Sequence, residues 1–306
     1  MTVHHCHDWQ QRCELIEGTY QETLARVVEV GGADLIAFSP PYCDARTYGM
    51  DVSWTDADYA ELGDHVFRAL KPGGHALVNV DAPVRDWAKD GRGTERGLHP
   101  WRMMIDWHDR IGFRVPDRLC FGRQGLPGHF WGFRNDWEPL LWFQRPGAKG
   151  WKPMAPKRPP GNTHTGRASY RNADGSITKQ KQKVLGQPVN VGNLWGYGAT
   201  GSGAQSGAPC LADQNHPARW PYRLARDIVK CFAPPDGLVC DPFVGAGTTA
   251  AAALDHGRRF IGGDLGSRQD HEDNRRRGLD AVPWVEVTRR VLAERYRQRG
   301  LFEAAP

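Results

Sequence analysis

The chain has 306 residues, and its 40 lysines and arginines against 35 aspartates and glutamates give a formal net charge of +5. Hydrophobic residues make up 40% and charged residues 25%, the balance of a globular protein with a core of ordinary size. No run approaches the roughly 18 apolar residues of a membrane span, and the first residues lack the apolar segment of a secretion signal.

The first part of the chain alternates strand and helix signals. The apolar run Asp34–Phe38 stops abruptly at Ser39-Pro40-Pro41, as a buried strand would. Thr55 and Asp58 form a capping box that opens a helix, and Lys71-Pro72-Gly73-Gly74 is a typical helix end. Two further apolar runs predict strands: Ala76–Val80 and Pro139–Phe143.

Residues 146–210 differ in composition from the rest of the chain. They carry a net charge of +8 and about 29% Gly and Pro, whereas the remaining residues carry −3 and about 16%. A basic, Gly/Pro-rich insert is an electrostatic footprint for a polyanion, although a solvated linker has the same composition. Its basic residues are Lys149, Lys152, Lys157, Arg158, Arg167, Arg171, Lys179, Lys181 and Lys183.

After the insert the alternation of helix and strand resumes. A helix is predicted from Pro221 to before Pro234, and another from Thr249 to His256. The intervening and following strands are Leu238–Cys240 and Arg259–Asp264. We expect an α/β fold, an open parallel sheet with helices on both faces. A final basic helix over 285–302 is predicted to be a surface element.

The segment from Asp241 to Thr249 has the pattern of a ligand-binding turn. Gly245 and Gly247 allow a tight bend and a close backbone approach, and the helix behind them directs free N–H groups to the same place. Asp264 ends the next strand, where an acid holds ribose hydroxyls in nucleotide-binding folds. The segment has no lysine for a phosphate, so a nucleoside without phosphates is favoured over an incidental turn.

Ser39-Pro40-Pro41-Tyr42 is a second candidate motif. Two prolines make the loop rigid, so that the Ser39 hydroxyl and the Pro40 carbonyl can accept hydrogen bonds from an amino group. Tyr42 adds a flat ring on which a base could stack. Taken alone, the four residues are also compatible with a plain rigid turn.

Asp-Pro-Phe-x-Gly-x-Gly-Thr-Thr, with Ser-Pro-Pro-Tyr earlier in the chain, resembles the motif pair of the amino-methylating DNA methyltransferases. The order of the two motifs, with the basic insert between them, resembles the beta class of that family. The resemblance covers roughly 30–145 and 190–265. Lesser matches are Leu70–Gly74, Asn193–Trp195, Asn215–Pro221 and Gly257–Gly262.

The resemblance implies a Rossmann-like, S-adenosylmethionine-dependent enzyme that methylates the exocyclic amino nitrogen of a flipped-out base in specific double-stranded DNA sequences. It implies a catalytic half over 1–145, a target-recognition insert over 146–210 and a cofactor half over 211–306. The implied catalytic residues are Ser39, Pro40, Pro41 and Tyr42. The implied cofactor residues are Asp241, Pro242, Phe243, Gly245, Gly247, Thr248, Asp264 and His216. The implied DNA-binding residues are the insert's basic residues from Lys152 to Lys183.

Several alternatives remain open at this point. In the family that the chain resembles, serine at the first motif position is common when cytosine N4 is the target, so the resemblance favours cytosine N4, with adenine N6 as the alternative. A protein amide, a small molecule or a non-catalytic DNA-binding role fits less well. A homodimer and a companion restriction endonuclease are further expectations. Seven scattered cysteines favour reduced thiols and a cytoplasmic location. We expect no metal site, although histidines and a cysteine are clustered over 4–7.

Overall fold

The computed structural model describes residues 9–42, 54–81, 84–86, 94–122, 136–147, 150–158, 169–179, 189–196, 220–267, 278 and 280–303. The helices in these residues are α1 (Trp9–Arg12), α2 (Tyr20–Glu29), α3 (Asp56–Ala69), α4 (His99–Asp106), α5 (Tyr222–Phe232), α6 (Thr248–Asp255) and α7 (Trp284–Glu303). A π-helical turn, Trp107–Ile111, continues α4.

The strands of the main sheet are β1 (Cys13–Glu17), β2 (Ala33–Phe38), β3 (Leu70–Asn79), β6 (Arg118–Gly122), β7 (Trp137–Gln144), β12 (Leu194–Gly196), β13 (Leu238–Asp241) and β14 (Arg259–Asp264). Shorter strands outside it are β4 (Val84–Asp86), β5 (Thr94–Arg96), β8 (Lys157–Arg158), β9 (Ser169–Arg171), β10 (Ile177–Lys179) and β11 (Val189–Asn190).

The main sheet has the order β1-β14-β13-β2-β3-β7-β6-β12. Its neighbours pair in parallel except at β7, which is antiparallel to both β3 and β6. The α/β sheet expected from the sequence is confirmed, but the expectation of an entirely parallel sheet is wrong at β7. An apolar run such as Pro139–Phe143 indicates that a strand is buried and carries no information about its direction.

Helices cover both faces of this sheet. Ile36 and Phe38 belong to a buried cluster with Leu24 of α2 and Leu62 of α3. Side chains alternate along a strand, so Leu35 faces the opposite side, where α5 contacts β2 and α6 contacts β13 and β14. The two predicted motifs follow the carboxyl ends of β2 and β13, outside these covered faces.

The predicted capping box opens α3 as expected. The Thr55 side chain accepts a hydrogen bond from the Asp58 backbone N–H, and the Asp58 side chain accepts one from the Thr55 backbone N–H. The helix ends at Ala69, but the predicted turn over 71–74 already lies within β3. The strand expected at Ala76–Val80 is therefore longer at its amino end.

Three elements near the amino terminus were not predicted: α1, β1 and α2. For α2, the sequence contains a signal, because Thr19 and Glu22 form a second capping box. Strand β1 pairs in parallel with β14 and sets Glu17 beside Asp264. The carboxyl end of β1 is therefore next to the predicted ribose-binding acid.

The C-terminal helix α7 is not the surface element that its basic composition suggested. Val285, Val287, Val291 and Leu292 are buried, and α7 contacts β1 and β14. The composition of α7 does not reveal this burial, because its apolar residues form one stripe and the aliphatic parts of its arginines can cover apolar surface.

No helix among the residues that the structure describes is long and apolar enough to cross a bilayer.

A buried ion pair connects α6 with α7. Arg295 donates hydrogen bonds to the Asp255 carboxylate, which also accepts hydrogen bonds from the hydroxyls of Tyr222 and Tyr296. These donors compensate a carboxylate whose side chain is 2% exposed. They join α5, α6 and α7 on one side of the sheet.

The chain divides into two compact units, Met1–Met154 with Asn193–Pro306, and Ala155–Gly192. The smaller unit contains the antiparallel pairs β8–β11 and β9–β10. The domain boundaries expected at 146 and 210 stay a prediction.

Gly263 allows α2 to lie close to β14, one residue before Asp264. A Cβ at Gly263 would overlap the Thr23 hydroxyl and lie 3.0 Å from Thr23 Cβ. We expect Gly263→Ala to destabilise the protein by about 1–3 kcal/mol, the usual cost of overpacking, as measured by denaturant unfolding. Gly192→Ala is the matched control, since a Cβ there meets no atom within 4 Å; equal stability of both variants would contradict the close packing.

Candidate active site

The pairing of β13 with β2 brings the two predicted motifs to the same edge of the sheet. Val239 lies opposite Leu35, and Cys240 lies opposite Ile36, in parallel register. From β2 the chain continues through α3 to β3, whereas from β13 it continues through α6 to β14 on the other side. This reversal is the topological switch point at which open α/β sheets bind ligands.

Aromatic contacts fill the space between the two loops. The Phe243 ring centroid lies 5.5 Å from that of Phe38, at the end of β2. It also lies 5.8 Å from Tyr20 and 5.7 Å from Trp54. Phe243 therefore packs directly against Phe38, the residue that precedes Ser39.

The glycine loop has the backbone conformation that its sequence suggested. Gly245 and Gly247 have φ values of +49° and +81°. Helix α7 supports the loop from behind, since the Thr288 hydroxyl donates a 2.8 Å hydrogen bond to the Gly245 carbonyl. A Cβ at Gly247 would lie 2.8 Å from Thr288 Cγ2, so both the conformation and the space require glycine.

Asp241 and Asp264 hold the loop through backbone donors. Asp241 Oδ1 accepts a 3.0 Å hydrogen bond from the Phe243 N–H. The two carboxylate oxygens of Asp264 accept 2.8 Å hydrogen bonds from the N–H groups of Gly245 and Gly266. The two acids at the ends of β13 and β14 are thus oriented by the backbone of the turn that they flank.

Burial raises the pKa of Asp241 from 3.8 to about 7. The side chain lies at the end of β13 and the residue is 4% exposed. The nearby Asp264 charge raises the pKa further, while the Thr249 hydroxyl and the Phe243 N–H lower it. This edge of the sheet therefore favours a cation near Asp241, which would stabilise the charged carboxylate.

The Ser-Pro-Pro-Tyr loop is held by hydrogen bonds at both ends. The Ser39 hydroxyl donates to the Tyr42 hydroxyl over 3.4 Å, and Tyr59 of α3 donates to the Pro41 carbonyl over 2.8 Å. Pro40 and Tyr42 are buried, and Ser39 is half-buried. The loop is therefore a rigid support for Ser39.

A buried polar chain lies behind this loop. The Tyr42 hydroxyl donates to Glu138 Oε2 over 3.4 Å, and Asn79 Nδ2 donates to the same oxygen over 3.2 Å. The Trp220 indole N–H donates to Asn79 Oδ1 over 3.0 Å. Glu138 is 2% exposed. It was not predicted from the sequence, although an acidic residue at the start of an apolar strand is a signal that could have identified it.

Comparison with known proteins agrees with this geometry. The model of a DNA methylase family, the N6/N4 DNA methylases, matches residues 33–269. The chain belongs to this family. It is therefore an amino-group DNA methyltransferase that acts on DNA with S-adenosylmethionine as cofactor, as the motif pair led us to expect.

Individual relatives are distant. The orphan methyltransferase M.BamHII of Bacillus amyloliquefaciens is 25% identical over 236 residues, which cover 76% of this chain and 83% of that protein. The type II methyltransferase M.ScaI of Streptomyces caespitosus is 27% identical over 262 residues, which cover 78% of this chain and 72% of that protein. The cytosine-N4-specific PvuII DNA methyltransferase has the same fold, with a TM-score of 0.57 and 18% identity over 92% of this chain and 93% of that one.

The charge distribution of this methylase site fits S-adenosylmethionine. The cofactor has two cationic groups, a sulfonium and an ammonium, and the acids Asp241 and Asp264 flank the glycine loop. The cofactor also has a carboxylate. The N-cap residue of α6 is Gly247, which has no side chain to cap the helix, so the first N–H groups of α6 can bind an anion. Pro242 and Thr248 are buried within the same turn.

The predicted DNA-binding residues of the methylase are only partly described. Lys152 and Arg171 are exposed. Lys157, Arg158 and Lys179 lie in the short strands β8 and β10. Arg167, Lys181, Lys183 and the cofactor candidate His216 lie outside the described residues.

The alternative metal cluster over 4–7 also lies outside the described residues. Within the ranges that the structure covers, no group of three or more His, Cys, Asp and Glu side chains is arranged to hold a metal ion. The described cysteines, Cys13, Cys120, Cys231 and Cys240, are free.

Replacing Asp241 by asparagine should change how stability depends on pH. Because the folded-state pKa lies above its ordinary value, the native protein keeps a proton that the unfolded chain has lost between about pH 4 and pH 7. Wild-type stability therefore falls as the pH rises through this window, by at most about 4 kcal/mol at about 1.4 kcal/mol per pKa unit. Asp241→Asn lacks this contribution.

The measurement is urea unfolding of both proteins across that pH range. Relative to the wild type, Asp241→Asn should become more stable as the pH rises from 4 to 7, with no further change above. A stability difference that is independent of pH would contradict the raised pKa.

Proposed function

We propose that this methylase transfers a methyl group to the exocyclic amino nitrogen of a flipped-out base, with cytosine N4 as the favoured target. The observation that supports this most directly is the position of Ser39 beside the cofactor turn, at the switch point between β2 and β13. One edge of the sheet thus carries both a candidate acceptor site and a candidate cofactor site.

We assign the cofactor contacts to residues at the carboxyl ends of β13 and β14. Asp264 accepts hydrogen bonds from the ribose hydroxyls, and the turn with Gly245 and Gly247 together with the start of α6 binds the methionine part. The pairing of Glu17 with Asp264 places the end of β1 next to the ribose position, so the adenine ring would lie on that side. Pro242, Phe243 and Thr248 shape the turn, and His216 stays a prediction from the sequence.

Bound S-adenosylmethionine supplies an electrophilic methyl group on its sulfonium. The amino nitrogen of a base is a weak nucleophile because its lone pair is delocalised into the ring. The hydrogen of the Ser39 hydroxyl is directed to Tyr42, so the lone pairs of Ser39 Oγ remain to accept an amino hydrogen of the base. With the Pro40 carbonyl accepting the second hydrogen, the nitrogen lone pair is oriented toward the methyl group.

Orientation is the main source of catalysis in this scheme. Well-aligned reactants gain on the order of 7–11 kcal/mol over free reactants. The rigid Pro40-Pro41 backbone and the Tyr59 hydrogen bond to Pro41 maintain that alignment. The base must leave the duplex to reach Ser39, and the Tyr42 ring provides a surface for stacking.

Ser39→Ala should abolish most of the methyl transfer while leaving cofactor affinity unchanged. Ser39 is assigned to the base, and the cofactor residues belong to other elements. The measurements are single-turnover methylation of DNA with labelled S-adenosylmethionine and calorimetric cofactor titration. A loss of cofactor affinity equal to the loss of rate would contradict the assignment of Ser39.

Digestion of the methylated DNA to nucleosides, followed by mass spectrometry, identifies the target base. We expect N4-methylcytosine because a neutral serine hydroxyl stands at the first motif position. N6-methyladenine would establish the alternative. Methylation of a protein amide or a small molecule without DNA would contradict the proposal as a whole.

We further propose that the basic segment 146–210 binds DNA phosphates. The exposed Lys152 and Arg171 are the described residues that support this. If each contacts a phosphate, Lys152→Gln/Arg171→Gln should reduce the slope of log affinity against log salt by about 2, at about 0.9 per contact.

The matched control is Lys230→Gln/Arg290→Gln, which removes one exposed lysine and one exposed arginine outside the segment. DNA affinity measured at several salt concentrations should show the reduced slope only for the first pair. Equal slopes for both pairs would refute the assigned contacts.

Three broader expectations also stay predictions. A homodimer and a companion restriction endonuclease are suggested by the family resemblance; the relative M.BamHII is named an orphan methyltransferase, whereas M.ScaI is named type II. A cytoplasmic location is consistent with a protein that acts on DNA.

A further inference from the structure

A buried carboxylate lies directly behind the proposed acceptor loop. Glu138 is 2% exposed, while Leu140, Leu141 and Phe143 in the same strand form part of the apolar core. Since β7 runs antiparallel to β3, its first residues lie at the edge where β3 ends. The reversal of β7 therefore places Glu138 beside the site rather than at the opposite edge.

Two described neighbours of Glu138 direct hydrogens toward it. Asn79 of β3 and Tyr42 both donate to Oε2. Exchanging the positions of Asn79 Oδ1 and Nδ2 would break two further hydrogen bonds. Oδ1 accepts one from Trp220, and Nδ2 donates the other to the Pro139 carbonyl over 3.0 Å. Oε2 is thus held as an acceptor, which is the state required to take up a proton.

The hydroxyls form a directed chain from the site to this carboxylate. Ser39 donates to Tyr42, and Tyr42 donates to Glu138, each over 3.4 Å. We propose that Glu138 accepts, through Tyr42 and Ser39, the proton that the methylated amino nitrogen must release. This inference rests on the proposed function, since it assigns Ser39 to the amino group.

The step balances in atoms and charge. The nitrogen–methyl bond forms as the sulfur–methyl bond breaks, which leaves neutral S-adenosylhomocysteine and a cationic methylamino group. That group transfers a proton to Ser39 Oγ, Ser39 transfers its hydroxyl proton to Tyr42, and Tyr42 transfers its proton to Glu138 Oε2. The products are a neutral methylated base and a protonated Glu138, which returns its proton to solvent when the products leave.

Glu138 acts through Tyr42, so it is a positioning residue whose role must be separated from simple support of the loop. Glu138→Gln keeps the size of the side chain and an acceptor oxygen but cannot take up a proton. Tyr42→Phe keeps the aromatic ring but removes the hydroxyl that links Ser39 to Glu138 in the hydrogen-bond chain. Both variants leave the candidate cofactor residues intact.

The experiment measures single-turnover methylation of DNA by wild-type protein, each single variant and the double variant. A single relay predicts that each substitution lowers the rate by about 100-fold, the lower range for general acid–base catalysis. It also predicts that the double variant is no slower than the single ones. Affinities for DNA and S-adenosylmethionine should stay unchanged, and the solvent deuterium isotope effect should increase because proton loss becomes slow.

The control is Glu29→Gln at the end of α2, where the side chain is 65% exposed and pairs with Arg26; its rate should equal that of the wild type. Thermal unfolding of every variant shows whether the loop support is retained. Rate losses that multiply in the double variant, or a Glu138→Gln variant as fast as wild type, would overturn the relay. Absence of DNA methylation by the wild type would instead refute the proposed function.

Discussion

The parallel pairing of β13 with β2 is the contact on which the rest of the site depends. It joins two strands that are about 200 residues apart in the chain and sets their carboxyl ends side by side. The connections then diverge, through α3 on one side and α6 on the other, so a crevice opens where they separate. The packing of Phe243 on Phe38 joins the two loops at this point.

Each acidic side chain at this edge accepts hydrogen bonds from fixed donors. Asp264 accepts hydrogen bonds from backbone N–H groups, Asp241 from a backbone N–H and a threonine hydroxyl, and Glu138 from a tyrosine and an asparagine. Such donors lower the cost of burying each acid but do not neutralise its charge. The edge therefore suits a cationic ligand on one side of Ser39 and a proton acceptor on the other.

Short-range signals account for the elements and residues that can be predicted from the sequence. The α3 capping box, the proline at the start of α5 and the glycines before α6 each act within a few residues, so they can be recognised without knowledge of the fold. Glu138 and Thr288 were missed for the opposite reason. Each reaches the site only because another element, β7 or α7, packs against it.

The sequence by itself determined the class of fold and the chemistry, because caps, glycine turns and the two motifs are encoded locally. The direction of β7, the burial of α7 and the contact of Thr288 with the glycine loop were decided only by the tertiary structure. A pattern of apolar residues shows that an element is buried, but its direction and partners depend on packing against distant segments. In this methylase, the antiparallel packing of β7 against β3 places the Glu138 carboxylate behind Ser39.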